Sequence, residues 1–182
     1  MSDSKPTTFI IFGASGDLTA RKLIPALLNS YGKQRLPEKF NIVGFARRPW
    51  DDAELRKVLK EGMQELAPDA YNDEKWAPFA ENITYVQGDL NTQADFAKLS
   101  EHLEKIEDGP GNRLYYLAVA PSFFVPIVEN LGAADMVDQS EGWRRVVVEK
   151  PFGHDLASAQ ELNQAIQAVF AEDQIYRIDH YL

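Results

Sequence analysis

Cysteine is absent from the 182 residues. Disulfides, thiolate metal sites, iron–sulfur clusters and cysteine nucleophiles are excluded together. Long apolar runs are missing as well, and nothing approaches the ~18 residues of a membrane helix. The opening segment MSDSKPTT is polar and has no signal-peptide core, so the expected address is the cytoplasm. Positive charge is scarce: 19 Lys and Arg stand against 28 Asp and Glu, a net charge of −9. Such a field repels nucleic-acid backbones and anionic lipid, so neither is an expected partner. Any anion the protein binds has to be captured by local groups. Repeats and low-complexity tracts are missing too. Histidine occurs only three times, as His102, His154 and His180, and no metal is expected.

What is present is an alternation of short β-branched or aromatic runs with amphipathic stretches, the pattern of βαβ units. The spacing predicts strands over 9–12, 41–45, 83–86, 114–119, 145–148 and 174–178. Between them lie a helix over 19–31 disturbed by Pro25, and one opened by Asp51 and Asp52 with Leu55, Val58, Leu59, Met63 and Leu66 inward. A looser stretch surrounds Trp76. A helix from Thr92 turns Phe96, Leu99, Leu103 and Ile106 inward and stops at the GPGN breaker. Another helix spans 122–131. The last is capped by Asp155, with Leu156, Ala159, Leu162, Ile166, Val169 and Phe170 inward. Together they predict one α/β domain over 1–182: a doubly wound, Rossmann-like parallel sheet of six strands, order 3-2-1-4-5-6, with helices on both faces. Right-handed crossovers bring every strand's carboxyl end to one edge, where ligands of such sheets bind. The residues there are 13–18, Arg47, Asp89, Pro121, Lys150 and 179–181.

The segment FIIFGASGDLTARKL sets Gly13 and Gly16 between a strand and a helix. Gly13 permits a tight turn, and the helix N-terminus offers free N–H groups and a positive dipole end to a phosphate. Serine (Ser15) and leucine (Leu18) replace the second and third glycines of the dinucleotide fingerprint. Taken alone, the turn is equally well read as an ordinary strand–helix connection with Asp17 as its N-terminal acid. The second strand ends in Ala46-Arg47-Arg48, with no acid before Asp51. An acid at that place holds the ribose 2′-hydroxyl of NAD, whereas an arginine accommodates the 2′-phosphate of NADP. Paired arginines in a loop are often plain surface charge. At this strand end the preferred reading is NADP, gripped by a guanidinium fork, with Ser15 donating its hydroxyl to the same phosphate.

Five blocks in this order, GASGDLTARKL, GFAR, NRLYYLAVAP, VVVEKPFG and YRIDHYL, resemble the coenzyme domain of the glucose-6-phosphate dehydrogenase family. The resemblance covers nearly the whole chain and rests most on EKPFG and RIDHYL. It implies oxidation of β-D-glucose 6-phosphate at C1 to 6-phosphogluconolactone, with hydride passing to C4 of NADP. It implies that Gly13, Ala14, Ser15, Gly16, Asp17, Leu18 and Thr19 wrap the pyrophosphate and that Arg47 binds the 2′-phosphate. Tyr116, Pro121 and the Gly88-Asp89-Leu90 turn would lie beside the coenzyme, and Lys150 would touch both coenzyme and sugar. His180 and Tyr181 would hold the substrate 6-phosphate, and Asp179 would orient a catalytic histidine. Thr19 stands where the family usually has alanine.

A base is needed for the C1 hydroxyl proton, and histidine with a carboxylate partner suits that task. His102 reads as a solvated helix residue, His154 as a loop residue beside a cap, and His180 as part of the phosphate motif. In the family the base comes from a later segment, and the GKE that normally follows RIDHYL is not in this sequence. The expectation is a coenzyme half-site without chemistry of its own, from an enzyme that is usually a homo-oligomer through its other domain. A stand-alone NADP-sensing module is the alternative. A short-chain reductase is weakly supported, because Tyr71 and Lys75 have no convincing active-site helix.

Overall fold

The computed structural model describes residues 5–153 and 155–179. Six parallel strands lie in the order β3-β2-β1-β4-β5-β6, as the sequence predicts. They are β1 (Thr7–Phe12), β2 (Phe40–Ala46), β3 (Ile83–Gln87), β4 (Asn112–Leu117), β5 (Arg144–Glu149) and β6 (Ile175–Ile178). The helices are α1 (Ile24–Gly32), α2 (Asp52–Leu66), α3 (Asp73–Ala80), α4 (Gln93–Glu107), α5 (Phe124–Ala133) and α6 (Leu156–Gln167).

Alternation along the central strands feeds two cores, since successive side chains leave a sheet by opposite faces. Ile10, Phe12, Phe45, Tyr115 and Val146 meet Phe96, Leu99 and Leu103 of α4, Ile127 and Leu131 of α5, and Ile166 of α6. Ile11, Ile42 and Tyr85 meet Ile24 and Leu28 of α1, Leu55, Leu59 and Met63 of α2, and Trp76 and Phe79 of α3. β1 is buried on both faces, which is why TTFIIF is nearly continuously apolar rather than alternating.

Several boundaries differ from the sequence reading. The first helix begins as a π-helical turn over Thr19–Leu23, in which the Ile24 N–H reaches back five residues to the Thr19 carbonyl. Pro25, which has no N–H, falls in the first turn of α1, where none is required. Pro126 likewise sits in the first turn of α5, after a 3-10 turn over Pro121–Phe123. The stretch around Trp76 is a true helix, α3, capped by Asn72 despite Pro78 inside it. Asp51 caps α2 through the Glu54 N–H at 2.8 Å, but Asp52 accepts the Tyr85 N–H of β3 at 2.7 Å instead. Leu66 is exposed, because the four-residue steps that face the sheet end at Met63. Leu156, the first residue of α6, is 74% exposed rather than inward. Gln174 belongs to the turn before β6, buried and donating to the Val137 and Arg144 carbonyls. His102 is not simply solvated: it is half-buried, with Nε2 2.8 Å from Thr84 Oγ1, and burial lowers its pKa.

Candidate functional site

The site grows from the end of β1. Gly13 has φ +84°, and a Cβ there would stand 2.3 Å from the Ala118 carbonyl oxygen and 2.7 Å from Val119 Cγ1. No other residue lets the chain turn this close to the end of β4. The Gly13 N–H donates to the Phe45 carbonyl at 2.9 Å and the Gly16 N–H to the Gly13 carbonyl at 2.9 Å. Thr19 is buried, and its hydroxyl donates to the same Gly13 carbonyl at 3.3 Å. That hydroxyl is satisfied inside the turn. The first-turn amides of the following helix have no intrahelical acceptor, the kind of helix start that suits an anion. Ala14 is buried in the core and contributes only its backbone. Gly16 and Asp17 are exposed, Asp17 paired with Arg21 at 3.3 Å, and Leu18 is partly buried.

Gly13, Ser15, Ala46, Arg47, Arg48, Leu90, Val119, Ala120 and Phe123 line one open cavity of about 480 Å³. It sits between the ends of β1, β2 and β4, where the strand order reverses, the usual ligand position in such sheets. Arg47 also borders a neighbouring cavity of about 340 Å³ that includes Gly88, Asp89 and Asp95. Asp89 is shaped by its own turn: its N–H donates to Asp95 at 2.9 Å, and its carboxylate accepts the Asn91 N–H at 2.8 Å. The Asp89 N–H, and then the Lys98 ammonium, hold the Asp95 carboxyl below the usual carboxylate range.

The remaining candidates lie further along the edge. Pro121 opens the turn next to Ala120. Tyr116 donates its hydroxyl to Glu149 Oε1. Burial, and then that bond to a carboxylate, raise the phenol's pKa above its ordinary value. Lys150, joined to Pro151 by a cis peptide bond, is half-exposed with Nζ 2.5 Å from Asp179 Oδ2. The structure therefore brings Gly13, Ser15, Arg47 and Leu90 together around one cavity, and Lys150 together with Asp179 beside β5 and β6. His154, His180 and Tyr181 lie outside the described residues. Val119, Ala120 and Phe123 were missed as lining residues: β4 ends at Leu117, two residues earlier than its apolar run suggests, which frees 118–120 as loop.

Residues 10–182 match the family described as glucose-6-phosphate dehydrogenase, NAD binding domain. The chain belongs to that family. It is 42% identical over 181 residues to glucose-6-phosphate 1-dehydrogenase 2 of Mycobacterium tuberculosis (strain ATCC 25618 / H37Rv). It is 43% identical over 176 residues to glucose-6-phosphate 1-dehydrogenase of Bacillus subtilis (strain 168). These alignments take in 97% and 95% of this chain but 35% of each relative, so the chain spans about a third of their length. A solved glucose-6-phosphate dehydrogenase in complex with its substrate glucose-6-phosphate superposes with a TM-score of 0.86 at 36% identity, over 96% of this chain and 36% of that one. The enzyme from Mycobacterium avium gives 0.83 at 34% identity, over the same shares. In this family the chain corresponds to the dinucleotide-binding domain, and the cavity at the reversal of strand order is where its glycine turn and Arg47 meet.

Proposed function

We propose that this chain is the NADP-binding domain of a glucose-6-phosphate dehydrogenase. The observation that carries the reading is the placement of Arg47 in the same cavity as Gly13 and Ser15. Its lining combines the hydrogen-bond donors of Ser15, Arg47 and Arg48 with apolar wall from Leu90, Val119 and Phe123, a set that suits a phosphorylated nucleotide. Arg47 would grip the 2′-phosphate, Ser15 would add a hydroxyl, and the turn from Gly13 to Leu18 would hold the pyrophosphate at the helix start. Tyr116, Asp89 and Pro121 would border the coenzyme. Bound there, NADP would supply the hydride acceptor for C1 of β-D-glucose 6-phosphate.

The chain's own groups prepare that transfer. Lys150 would set a positive charge where coenzyme and sugar meet, and Asp179 already holds its ammonium. Asp179 would also fix a histidine base supplied by the longer protein and stabilise the imidazolium that forms when C1–OH gives up its proton. His180 and Tyr181 would hold the 6-phosphate. A cytoplasmic setting and assembly into homo-oligomers belong to the same reading. The test is reduction of NADP⁺ by the gene's complete product in the presence of glucose 6-phosphate. Lys150→Met should lower kcat/KM on the order of 100-fold, and the 182-residue polypeptide alone should show no turnover. Turnover by the complete product that ignores glucose 6-phosphate would contradict the proposal.

A further inference from the structure

We infer that Tyr85 is a positioning residue for coenzyme selectivity: its hydroxyl sets the turn that presents Arg47, and it acts on the 2′-phosphate through that arginine. The inference rests on the reading of Arg47 given above. Tyr85 lies in β3, and its ring is buried between the sheet and α2. Its hydroxyl sits 2.7 Å from the Ala46 carbonyl and 2.7 Å from the Arg48 carbonyl, its single proton shared between the two acceptors. These are the carbonyls of the two residues on either side of Arg47. A buried phenol needs an acceptor, but a single partner would satisfy it; this one bridges two carbonyls across the tip of the turn.

The other contacts of the turn point the same way. The Gly88 N–H donates to the Ala46 carbonyl at 3.0 Å, the Gln87 side chain to the Arg47 carbonyl at 3.4 Å, and the Trp50 N–H to the Arg48 carbonyl at 2.9 Å. The Arg48 guanidinium lies over the Trp50 ring at 5.2 Å, and that ring packs against Tyr85 at 6.1 Å. Arg48 also lines the larger cavity, but its guanidinium is stacked on Trp50, whereas Arg47 borders both cavities. Tyr85 is itself anchored, since its N–H donates to Asp52 of α2 at 2.7 Å. A guanidinium fork recognises phosphate by direction as well as charge, so a loosened turn would weaken recognition of the 2′-phosphate and spare the rest of the dinucleotide.

The test is titration of this chain, and of Tyr85→Phe, Arg47→Ala and the double variant, with four ligands: NADP⁺, NAD⁺, adenosine 2′,5′-bisphosphate and AMP. Phe keeps the ring packing, and a thermal melt establishes that the variant folds. Loss of the hydroxyl should weaken NADP⁺ and the bisphosphate about three- to tenfold while leaving NAD⁺ and AMP unchanged. In the Arg47→Ala background the same change should cost nothing further, because its effect passes through the arginine. Equal weakening of NAD⁺, unaltered NADP⁺ binding, or an undiminished effect without Arg47 would each overturn the inference while leaving the Arg47 reading in place. A wild-type chain with no preference for NADP⁺ would overturn that reading, and the inference with it. Should Tyr85→Phe fail to fold, Gln87→Ala replaces it, with the same selective loss expected at smaller size and an unselective one contradicting it.

Discussion

Gly13 carries two demands at one position, a left-handed φ and contact with the Ala118 carbonyl. Gly13→Ala should therefore cost at least about 2 kcal/mol of stability, from backbone strain together with overpacking, readable as a lower urea midpoint. Nucleotide binding should fail even where the fold survives. His102 makes a different demand. Burial holds its imidazole pKa below the ordinary 6.5, with Asp52 opposing that shift and Lys105 adding to it. The unfolded chain thus takes up a proton at pH values where the folded one resists it, and this part of the stability is lost as pH falls below about 6.5. Stability of His102→Gln should fall less between about pH 7.5 and 5.5 than that of the wild type. Identical slopes would mean that burial does not depress the His102 titration.

At the scale of elements, side chains hold the sheet's edge and its seams. β3 is an outermost strand, and exposed strand edges invite pairing with other chains. Here α2 covers the edge: Asp52 accepts the Tyr85 N–H, and Arg56 donates to the Ile83 carbonyl at 2.8 and 2.6 Å. Between α4 and β4, Arg113 meets Glu107 at 2.8 Å with both side chains nearly fully buried. Replacing Glu107 with Ala would strand a buried guanidinium and should cost about 3–5 kcal/mol. Replacing both with apolar residues should cost much less, a contrast that a double-mutant cycle in urea reads directly. None of these links lies in a local pattern. Asp52 looks like a cap, Arg56 like a surface charge, and Tyr85 like any inward strand residue, because their partners are 27 to 39 residues away in sequence.

At the scale of the whole molecule, strand count, strand order and the edge where the strand ends gather were legible because apolar periodicity, turn residues and the handedness of crossovers are local or general rules. Element ends were less so. Pro78 hid α3, since a proline inside a short helix reads as a break, and the apolar run LAV concealed the end of β4. Within the site, Gly13 and Arg47 could be read from their places at strand ends. Val119 and Phe123 could not, because they matter only through the fold that sets them opposite Arg47. The molecule's net charge of −9 gives the rest of the surface no attraction for a phosphate-rich ligand. On the proposed reading, discrimination between the two coenzymes comes from the corner of the sheet that holds Arg47. Calorimetric titration of the wild-type chain and of Arg47→Ala with NADP⁺ and NAD⁺ tests that most directly. The predicted result is a clear NADP⁺ preference that falls about 10- to 100-fold in the variant, with NAD⁺ little changed. Equal binding of both coenzymes by the wild type would contradict it.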